Sequence, residues 1–436
     1  MKKFNLITLG CRVNQCESDA LSSCLGNLGF SVSNDGKGSD LCVINTCAVT
    51  QKAAAQSRRA IRKAIRNNPS AQIVVAGCYA QTFASEIEKM EGVDYVVGNA
   101  DKHAIPEIIS RKNKNHGPAL ISHPIDRQRK FAEIPGQGCS SKTRPSLKIQ
   151  DGCDSFCSYC IVPYARGRSR SMPFDHVLGA ISKISAQGHK EVVLSGIHIG
   201  RYGRDLSPQT SLHDLISIID NKKIIPRVRL SSIEPPELKR EIIIRASASE
   251  IICHHFHIPL QSGDDGILKK MNRPYSSSFF RDLVLFVHEL IPDAAIGVDI
   301  LEGFPGETDQ AFENTYALIK SLPVSYLHVF PFSRRENTPA WSFPDQIPHD
   351  VIVRRCAILR DLGAEKKQEF YKKFVGKRVT VLFENQRCKK TGRLKGITSN
   401  YLRVVAEGGD ERLNSMVDVR ITKMSGADSL WGECAG

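Results

Sequence analysis

The sequence predicts an α/β protein of several domains: a doubly wound α/β domain, then a partial (β/α)6 barrel, then a small β-barrel of the OB-like kind. Short apolar runs alternate with amphipathic stretches over most of the chain, which is typical of repeated βα units. After residue 375 this pattern changes to short alternating strands, which indicate a separate β domain. A length of 436 residues allows two or three domains, each with its own core.

The N-terminal domain is predicted to span residues 1–108. Its predicted strands are 4–9, 41–45, 73–76 and 95–97, and its predicted helices are 15–28, 51–67 and 84–90. Periodicity fades between residues 109 and 145, so we predict a linker there, with Cys139 as a cysteine that binds no metal.

The second domain is predicted to span residues 146–374 and the third residues 375–436. Six barrel strands are expected at 147–150, 191–195, 227–231, 255–260, 294–301 and 325–329, followed by a helix at 350–374. The third domain is expected to have strands at 378–382, 391–394, 401–405 and 416–421.

Charge and cysteine content restrict the function. The chain has 60 basic and 46 acidic side chains, a net charge of +14, which suits a polyanion such as RNA, although a merely solvated basic surface explains it equally well. No apolar run reaches the length of a membrane span, so we expect a cytoplasmic protein without membrane contact. In that compartment, 14 cysteines indicate metal or redox chemistry rather than disulfides.

Cys153, Cys157 and Cys160 stand in a short run after the first predicted barrel strand. At this spacing three thiolates converge on one point, and a 4Fe-4S cluster that they hold keeps one iron without a protein ligand. That iron is open to a substrate or a cofactor. Zinc, which usually takes four closed ligands, and three buried thiols that pack as small apolar side chains remain as alternatives.

Cys11, Cys47 and Cys78 each follow a predicted strand of the N-terminal domain. Open parallel sheets bind ligands at the carboxyl ends of their strands, so we expect these cysteines to meet in one crevice. We interpret them as the ligands of a second three-thiolate cluster, with ordinary buried cysteines as the alternative.

The two sets of cysteines, with the surrounding pieces 9–15, 45–50 and 76–78, resemble the radical S-adenosylmethionine methylthiotransferase family. Tyr159, the aromatic residue before the third cysteine of the run, also matches the wider radical S-adenosylmethionine superfamily. The resemblance covers nearly the whole chain and implies an N-terminal cluster domain, a radical S-adenosylmethionine barrel and a C-terminal TRAM domain. The implied cofactors are two 4Fe-4S clusters and S-adenosyl-L-methionine.

In the resembled family, one cluster reduces S-adenosylmethionine to give a 5′-deoxyadenosyl radical, and the other presents sulfur. Candidate cofactor-binding residues are the aromatic residue of the run and positions after the barrel strands, with plain turn chemistry as the alternative: Tyr159, Gly196, Glu234, Gln261, Ser262 and Asp299.

Two basic sets are candidates for RNA contact, and solvated basic surfaces are the alternative for both. The first set follows the 153–160 run and consists of Arg166, Arg168 and Arg170. The second lies in the C-terminal domain and consists of Lys389, Lys390, Arg393, Lys395 and Arg403.

The motifs at 151–154, 164–168, 195–198 and 231–235 resemble the branch that adds a methylthio group to N6-threonylcarbamoyladenosine next to the tRNA anticodon. Isopentenyladenosine in tRNA and an aspartate of a ribosomal protein are the alternative targets within the family. A simple radical methylase and a non-catalytic RNA-binding iron-sulfur redox sensor are the alternatives outside it. The expected partners are the tRNA anticodon loop, a low-potential electron donor and a sulfur donor. Glu302 and Glu336-Asn337 depart from the family pattern in ways that bear on substrate preference.

Overall fold

The computed structural model describes residues 2–33, 36–110, 118–136 and 142–434. Cys139, predicted to bind no metal, lies outside these residues. Within the described ranges, every helix is too short or too polar to cross a lipid bilayer.

The N-terminal domain contains a parallel sheet with the strand order β2-β1-β3-β4-β5-β6. The strands are β1 (Lys3–Thr8), β2 (Ser31–Val32), β3 (Leu41–Thr46), β4 (Gln72–Gly77), β5 (Tyr95–Val97) and β6 (Ala119–Ile121). The helices are α1 (Arg12–Asn27), α2 (Gln51–Asn67), α3 (Cys78–Thr82), α4 (Ala84–Glu88) and α5 (Ile105–Ile108).

Alternation along β3 explains why this sheet is covered on both faces. Leu41 and Val43 pack in the core that includes α1, whereas Cys42 and Ile44 pack in the core that includes α2. Side chains of a strand point alternately to opposite faces, and a strand buried on both faces is apolar throughout. The predicted doubly wound arrangement is confirmed.

Two short strands were missed because they are too short to show a period. The strand β2 has only two residues, and β6 lies inside the stretch 109–145 that we predicted to be a linker. Backbone pairing with β5 makes β6 the edge of the N-terminal sheet, and Ile134 packs in the same domain's core. That stretch is therefore partly domain and not wholly linker.

The second domain is a partial barrel of six parallel strands, with a two-stranded ladder formed by β8 and β9 beside it. Its strands are β7 (Ser146–Lys148), β8 (Gln150–Asp151), β9 (Arg170–Ser171), β10 (Glu191–Ser195), β11 (Arg227–Leu230), β12 (His255–His257), β13 (Ala295–Glu302) and β14 (Tyr326–Pro331). Its helices are α6 (Val162–Arg166), α7 (Phe174–Ala186), α8 (Leu212–Lys222), α9 (Arg240–Ala248), α10 (Asp265–Lys270), α11 (Ser277–Leu290), α12 (Asp309–Ser321) and α13 (His349–Lys372).

The six barrel strands form two sheets of three, β11-β10-β7 and β12-β13-β14. A bridge between Val228 and Ile252 joins the sheets. One continuous apolar core fills the space between strands and helices, so the predicted (β/α)6 architecture is confirmed.

The C-terminal domain is a closed barrel with the strand order β15-β16-β17-β19-β18. The strands are β15 (Arg378–Phe383), β16 (Leu394–Thr398), β17 (Arg403–Ala406), β18 (Met416–Met424) and β19 (Leu430–Cys434). The strand expected at 391–394 begins only at Leu394, and β19 was missed. Arg229 of β11 donates to the carbonyls of Thr398 (3.0 Å) and Ser399 (2.8 Å), which anchors this domain to the central barrel.

Candidate active site

The first set of cysteines lies at one edge of the N-terminal sheet. Cys11 follows β1, Cys47 follows β3, and Cys78 begins α3 directly after β4. These strands are parallel neighbours, so their carboxyl ends open on the same side. All three residues line one crevice, as predicted; Cys11 is accessible from it, whereas Cys47 and Cys78 are largely buried.

Gly10 and Asn14 hold the loops of this first set together. Gly10 has a φ of 89°, and a Cβ there would lie 2.6 Å from Sγ of Cys47, so glycine is required. Nδ2 of Asn14 donates to the carbonyl oxygens of Leu9 (2.8 Å) and Thr46 (2.9 Å). One amide therefore joins the loops that follow β1 and β3.

The three thiols share a setting that suits a bound cationic centre. Burial raises the pKa of Cys47 to about 11, and the neighbouring Cys78 and Cys11 raise it as well. Thiolates this close together repel one another unless positive charge lies between them. A metal bound by the three thiolates supplies that positive charge, so these residues fit a thiolate-bound metal centre.

A cavity of about 420 Å³ separates this first set from the central barrel. The barrel side is formed by residues at or after the carboxyl ends of its strands, where barrels of this type bind their ligands. Those residues include Ser195, Gly196, Ser231, Ser232, His257 and His328.

The second set of cysteines lies on the loop after β8. Gly152 has a φ of 75°, and a Cβ there would lie 1.9 Å from the carbonyl oxygen of Arg168, so the loop begins at an obligatory glycine. The N–H of Cys160 donates to the carbonyl of Cys157 (2.9 Å), which closes the turn. Burial raises the pKa of both thiols, and the nearby Cys153 raises them as well. This set also fits a thiolate-bound metal centre.

His198 and Arg273 contact this second set and were not assigned from the sequence. Nδ1 of His198 lies 3.4 Å from Sγ of Cys153, and its Nε2 lies 3.2 Å from Glu237. Although burial opposes a charged ring, these two partners raise the pKa of His198 to about 9. Nη1 of Arg273 lies 3.2 Å from Sγ of Cys157. Positive charge beside a thiol favours the thiolate, which is the form that binds metal.

Four of the predicted cofactor-binding residues, Glu234, Tyr159, Gly196 and Asp299, lie near this second set or the cavity. Glu234 forms an ion pair with Arg273. Tyr159 lies within the second set, and its ring packs edge-on against Phe304 at 6.4 Å between centroids. Gly196 lines the cavity.

The adjacent residues Gln261 and Ser262 behave differently from each other. Gln261 has a φ of 70° and bridges to Ile300 of β13, so it shapes the loop after β12. Ser262 is buried, and its hydroxyl accepts from the N–H of Asp264 (3.2 Å) and lies 3.5 Å from Oγ1 of Thr315. The prediction that Ser262 contacts a cofactor is wrong, because its hydroxyl is committed to the loop.

Asp299 joins two histidines of the cavity wall. Its Oδ1 accepts from Nε2 of His257 (2.7 Å) and from Nδ1 of His328 (3.1 Å). Burial opposes ionisation of Asp299, but these hydrogen bonds prevail and lower its pKa to about 2. The carboxylate therefore fixes the orientation of both imidazole rings.

The C-terminal barrel reaches the cavity through Tyr401, a residue that the sequence did not single out. Its ring stacks on His255 with 4.3 Å between centroids, and the guanidinium of Arg229 lies 5.2 Å from its centroid. Tyr401 lies in a turn, with a φ of 66°. All three domains therefore contribute to the cavity wall.

Two of the arginines predicted to bind RNA are in the interior. Arg166 is 1% exposed and donates to Glu17, Asp151 and Asn14, and Arg170 is 4% exposed and donates to backbone carbonyls. The prediction that these arginines form a basic surface for RNA is wrong, because both guanidinium groups are buried and already hydrogen-bonded.

The other basic candidates remain at the surface. Arg168 keeps 57% of its side chain exposed. Lys395 is partly exposed and pairs with Glu384 at 2.7 Å. The remaining C-terminal candidates are exposed: Lys389, Lys390, Arg393 and Arg403.

A further basic surface lies on α2 and was missed. Its exposed side chains are Lys52, Arg59, Arg62, Lys63 and Arg66. The sequence could have indicated this surface. The helix was predicted with the bounds that the structure has, and most of these basic residues recur at helical spacing on its polar face.

Comparisons with known proteins agree with this architecture. Residues 3–98 match the model of an uncharacterized protein family, UPF0004, and residues 147–319 match that of the radical SAM superfamily. A solved radical S-adenosylmethionine methyltransferase, TsrM from Kitasatospora setae, has a similar fold, with a TM-score of 0.58 and 16% identity over 78% of this chain and 77% of that one.

Curated relatives match nearly the whole chain. The threonylcarbamoyladenosine tRNA methylthiotransferase MtaB of Bacillus subtilis is 36% identical over 95% of this chain and 93% of its own length. The tRNA-2-methylthio-N(6)-dimethylallyladenosine synthase of Clostridium tetani is 33% identical over 96% of this chain and 94% of its own. The chain belongs to the radical S-adenosylmethionine methylthiotransferase family, whose cofactors are S-adenosylmethionine and 4Fe-4S clusters.

Proposed function

We propose that this protein converts N6-threonylcarbamoyladenosine to its 2-methylthio derivative next to the anticodon of tRNA. The observation that carries the proposal is the cavity, which has three cysteines on one wall and the strand ends of the barrel on the other. The similarity to the MtaB of Bacillus subtilis along almost the entire chain supports the choice of nucleoside.

We assign the two 4Fe-4S clusters to the two sets of cysteines. Cys153, Cys157 and Cys160 hold the cluster that binds S-adenosylmethionine, and the first set holds the other: Cys11, Cys47 and Cys78. When bound, these groups supply a radical that removes hydrogen from an unactivated carbon, together with the sulfur and methyl group that are transferred.

The side chains around the second set orient and stabilise its thiolates. Arg273 donates to Cys157 and is itself held by Glu234. His198 lies between Cys153 and Glu237. Removing either cation leaves a thiolate with less compensating charge, so both are positioning residues for this set.

The target adenine occupies the cavity between the first set and the strand ends of the barrel. A base in a single-stranded loop can be splayed into a pocket at lower cost than one in a duplex, because no base pair is broken. Tyr401 and the neighbouring histidines give the base an aromatic surface on which to stack.

Contacts with the remainder of the tRNA come from exposed basic side chains. We assign them to Arg168, to α2 and to the C-terminal residues Lys389, Lys390, Arg393, Lys395 and Arg403. The reaction also needs a low-potential electron donor and a sulfur donor. We place the reaction in the cytoplasm.

Anaerobic incubation of reconstituted protein with reductant, sulfide, S-adenosylmethionine and tRNA tests the proposal. Substrates with a threonylcarbamoyl or an isopentenyl group are run side by side, and their nucleosides are identified by mass spectrometry. We expect a methylthio product on the threonylcarbamoyl nucleoside alone. Product on the isopentenyl nucleoside alone would favour the activity named for the Clostridium tetani relative. Product on neither nucleoside, with 5′-deoxyadenosine still formed, would overturn the proposal and direct the search to protein substrates.

A further inference from the structure

Several cationic side chains line the cavity. None of the described residues that line it is Asp or Glu, whereas Arg12, Arg166, Arg229 and three histidines do line it. Arg166 is engaged with Glu17, and Arg229 is engaged with Glu191 at 2.8 Å. Arg12 differs from them: within the described part of the chain, no carboxylate or other acceptor lies at bonding distance from its guanidinium.

Arg12 lies on the cysteine wall, and its charge reaches the opposite wall. It directly follows Cys11 in the chain. Burial and the positive charges of neighbours that include Arg229 and Arg12 hold the pKa of His255 well below its usual value, so this ring is neutral. Tyr326, which donates to or accepts from His255 at 2.7 Å, also lies within reach of the Arg12 charge.

His328, which lies beside Tyr326, is a second cavity residue with a polar atom that is not hydrogen-bonded within the described residues. Its ring centroid lies 5.3 Å from that of Tyr326, and half of its side chain is exposed. Nδ1 is fixed by Asp299 at 3.1 Å, and Nε2 has no hydrogen-bond partner among the residues that the structure describes. The imidazole is therefore held in place with one nitrogen available to a ligand.

We propose that Arg12 and His328 form a subsite for a substituent on the target base that carries a carboxylate and a hydroxyl group. This inference rests on the proposed function and adds the residues that select the nucleoside. Arg12 pairs with the threonyl carboxylate, since a guanidinium has a geometry that matches a carboxylate. Nδ1–H of His328 donates to Asp299, so Nε2 carries the lone pair and accepts a hydrogen bond from the threonyl hydroxyl.

The same subsite disfavours an isopentenyl group. An apolar substituent would exclude water from Arg12 without replacing the lost hydrogen bonds. Leaving a polar group unpaired on binding is costly, and sites built to bond a polar substrate discriminate strongly against analogues that lack it. The subsite thus separates two tRNA nucleosides that share the same reacting adenine carbon.

Binding of short anticodon stem-loop RNAs tests this subsite independently of catalysis. Three RNAs are compared, in which the target adenine carries a threonylcarbamoyl group, the methyl ester of that group or an isopentenyl group. Their dissociation constants are measured with the cluster-loaded protein. We expect the unmodified protein to prefer the free acid to the ester by at least about tenfold, as for a hydrogen bond to a charged group. Arg12→Gln should bind the two forms equally. Equal binding of acid and ester by the unmodified protein would overturn the subsite.

His328→Phe provides a second test, because Arg12 adjoins a cysteine of the first set and its variant can lose iron. Steady-state kinetics on the acid substrate should give a KM raised by about tenfold, with kcat changed much less, because the interaction is made equally in the ground state and the transition state. An unchanged KM would overturn the role of His328. Arg281→Gln, at an exposed site on α11, is the matched control and should leave both measurements unchanged.

The subsite and the proposed function fail in different ways. If the unmodified protein makes no product from the threonylcarbamoyl RNA, the proposed function is wrong. In that case, the binding preference of the unmodified protein for the free acid over the ester still shows whether the cavity binds a carboxylate. Turnover without any acid preference confirms the reaction and removes Arg12 from substrate recognition.

Discussion

Nη1 of Arg166 on α6 lies 3.0 Å from Oε1 of Glu17 on α1, and both side chains are buried between the N-terminal domain and the barrel. Asp151 accepts from the same guanidinium at 2.9 Å, and Lys102 and Lys148 contact Glu17 at 2.6 and 3.0 Å. This ion network joins α1 of the N-terminal domain to α6 of the barrel.

Arg166→Met is expected to destabilise the protein by about 3–5 kcal/mol, because removing one member of a buried ion network leaves uncompensated charges. Urea unfolding of the folded protein measures the difference. Arg168→Met, two residues away at an exposed site, is the control, and its effect should stay within about 0.5 kcal/mol. Equal stability of the two variants would show that the network contributes little to domain association.

Cys47→Ala is expected to abolish methylthiolation while 5′-deoxyadenosine still forms in the presence of substrate. Iron content should fall by about half, since one of two four-iron clusters loses a ligand. Nucleoside mass spectrometry, iron analysis and 5′-deoxyadenosine assays give the three readouts. Cys388→Ala, in the C-terminal barrel, should behave like the unmodified protein. Sulfur insertion that continues in Cys47→Ala would remove this residue from the sulfur-supplying site.

Tyr401→Ala is expected to raise the KM for the stem-loop RNA by about tenfold or more, since a base loses a stacking surface worth about 1–3 kcal/mol. Tyr401→Phe keeps the ring and should retain most of the affinity. A KM that is unchanged in Tyr401→Ala would mean that the C-terminal barrel contacts only the RNA backbone. Circular dichroism on both variants checks that the closed barrel remains folded.

Glu302→Gln is expected to stabilise the protein more at pH 8 than at pH 5. Burial first, and then the facing Glu307, raise the pKa of Glu302 to about 9, although Arg355 acts in the opposite direction. A carboxyl whose pKa is raised by folding favours the folded state below its unfolded pKa, and this contribution is lost as the pH rises towards the folded value. The neutral amide avoids that loss.

The difference for Glu302→Gln should exceed about 1 kcal/mol between the two pH values, because each unit of pKa shift corresponds to about 1.4 kcal/mol. Denaturant unfolding at both pH values measures it. Glu313→Gln, at an exposed position on α12, should show no such pH dependence. A Glu302→Gln stability curve parallel to that of the unmodified protein would mean that Glu302 is ionised in the folded state.

Strand ends were the most predictable part of the site. Cys11, Cys47 and Cys78 could be placed together because parallel strands end at one edge of a sheet. Arg166 was misassigned because a local sequence cannot distinguish a solvated arginine from one that is buried against a carboxylate far away in the chain, here Glu17. The same limit hid Arg273, whose contact with Cys157 spans 116 positions.

The shortest strands and the position of Tyr401 were the least predictable parts of the structure. The strands β2 and β6 have two and three residues, too few for alternation to show. Tyr401 gave no signal because its position in the cavity depends on how the C-terminal barrel docks on Arg229, which no local pattern records.

The wall of the cavity begins with Cys11 and is completed by Tyr401. A ribosome synthesises the first of these residues long before the second, so the nascent chain has its cysteine crevice and most of its barrel while one wall is still absent. Any truncation of the chain before Tyr401 therefore leaves the cavity open on the side that the C-terminal barrel covers.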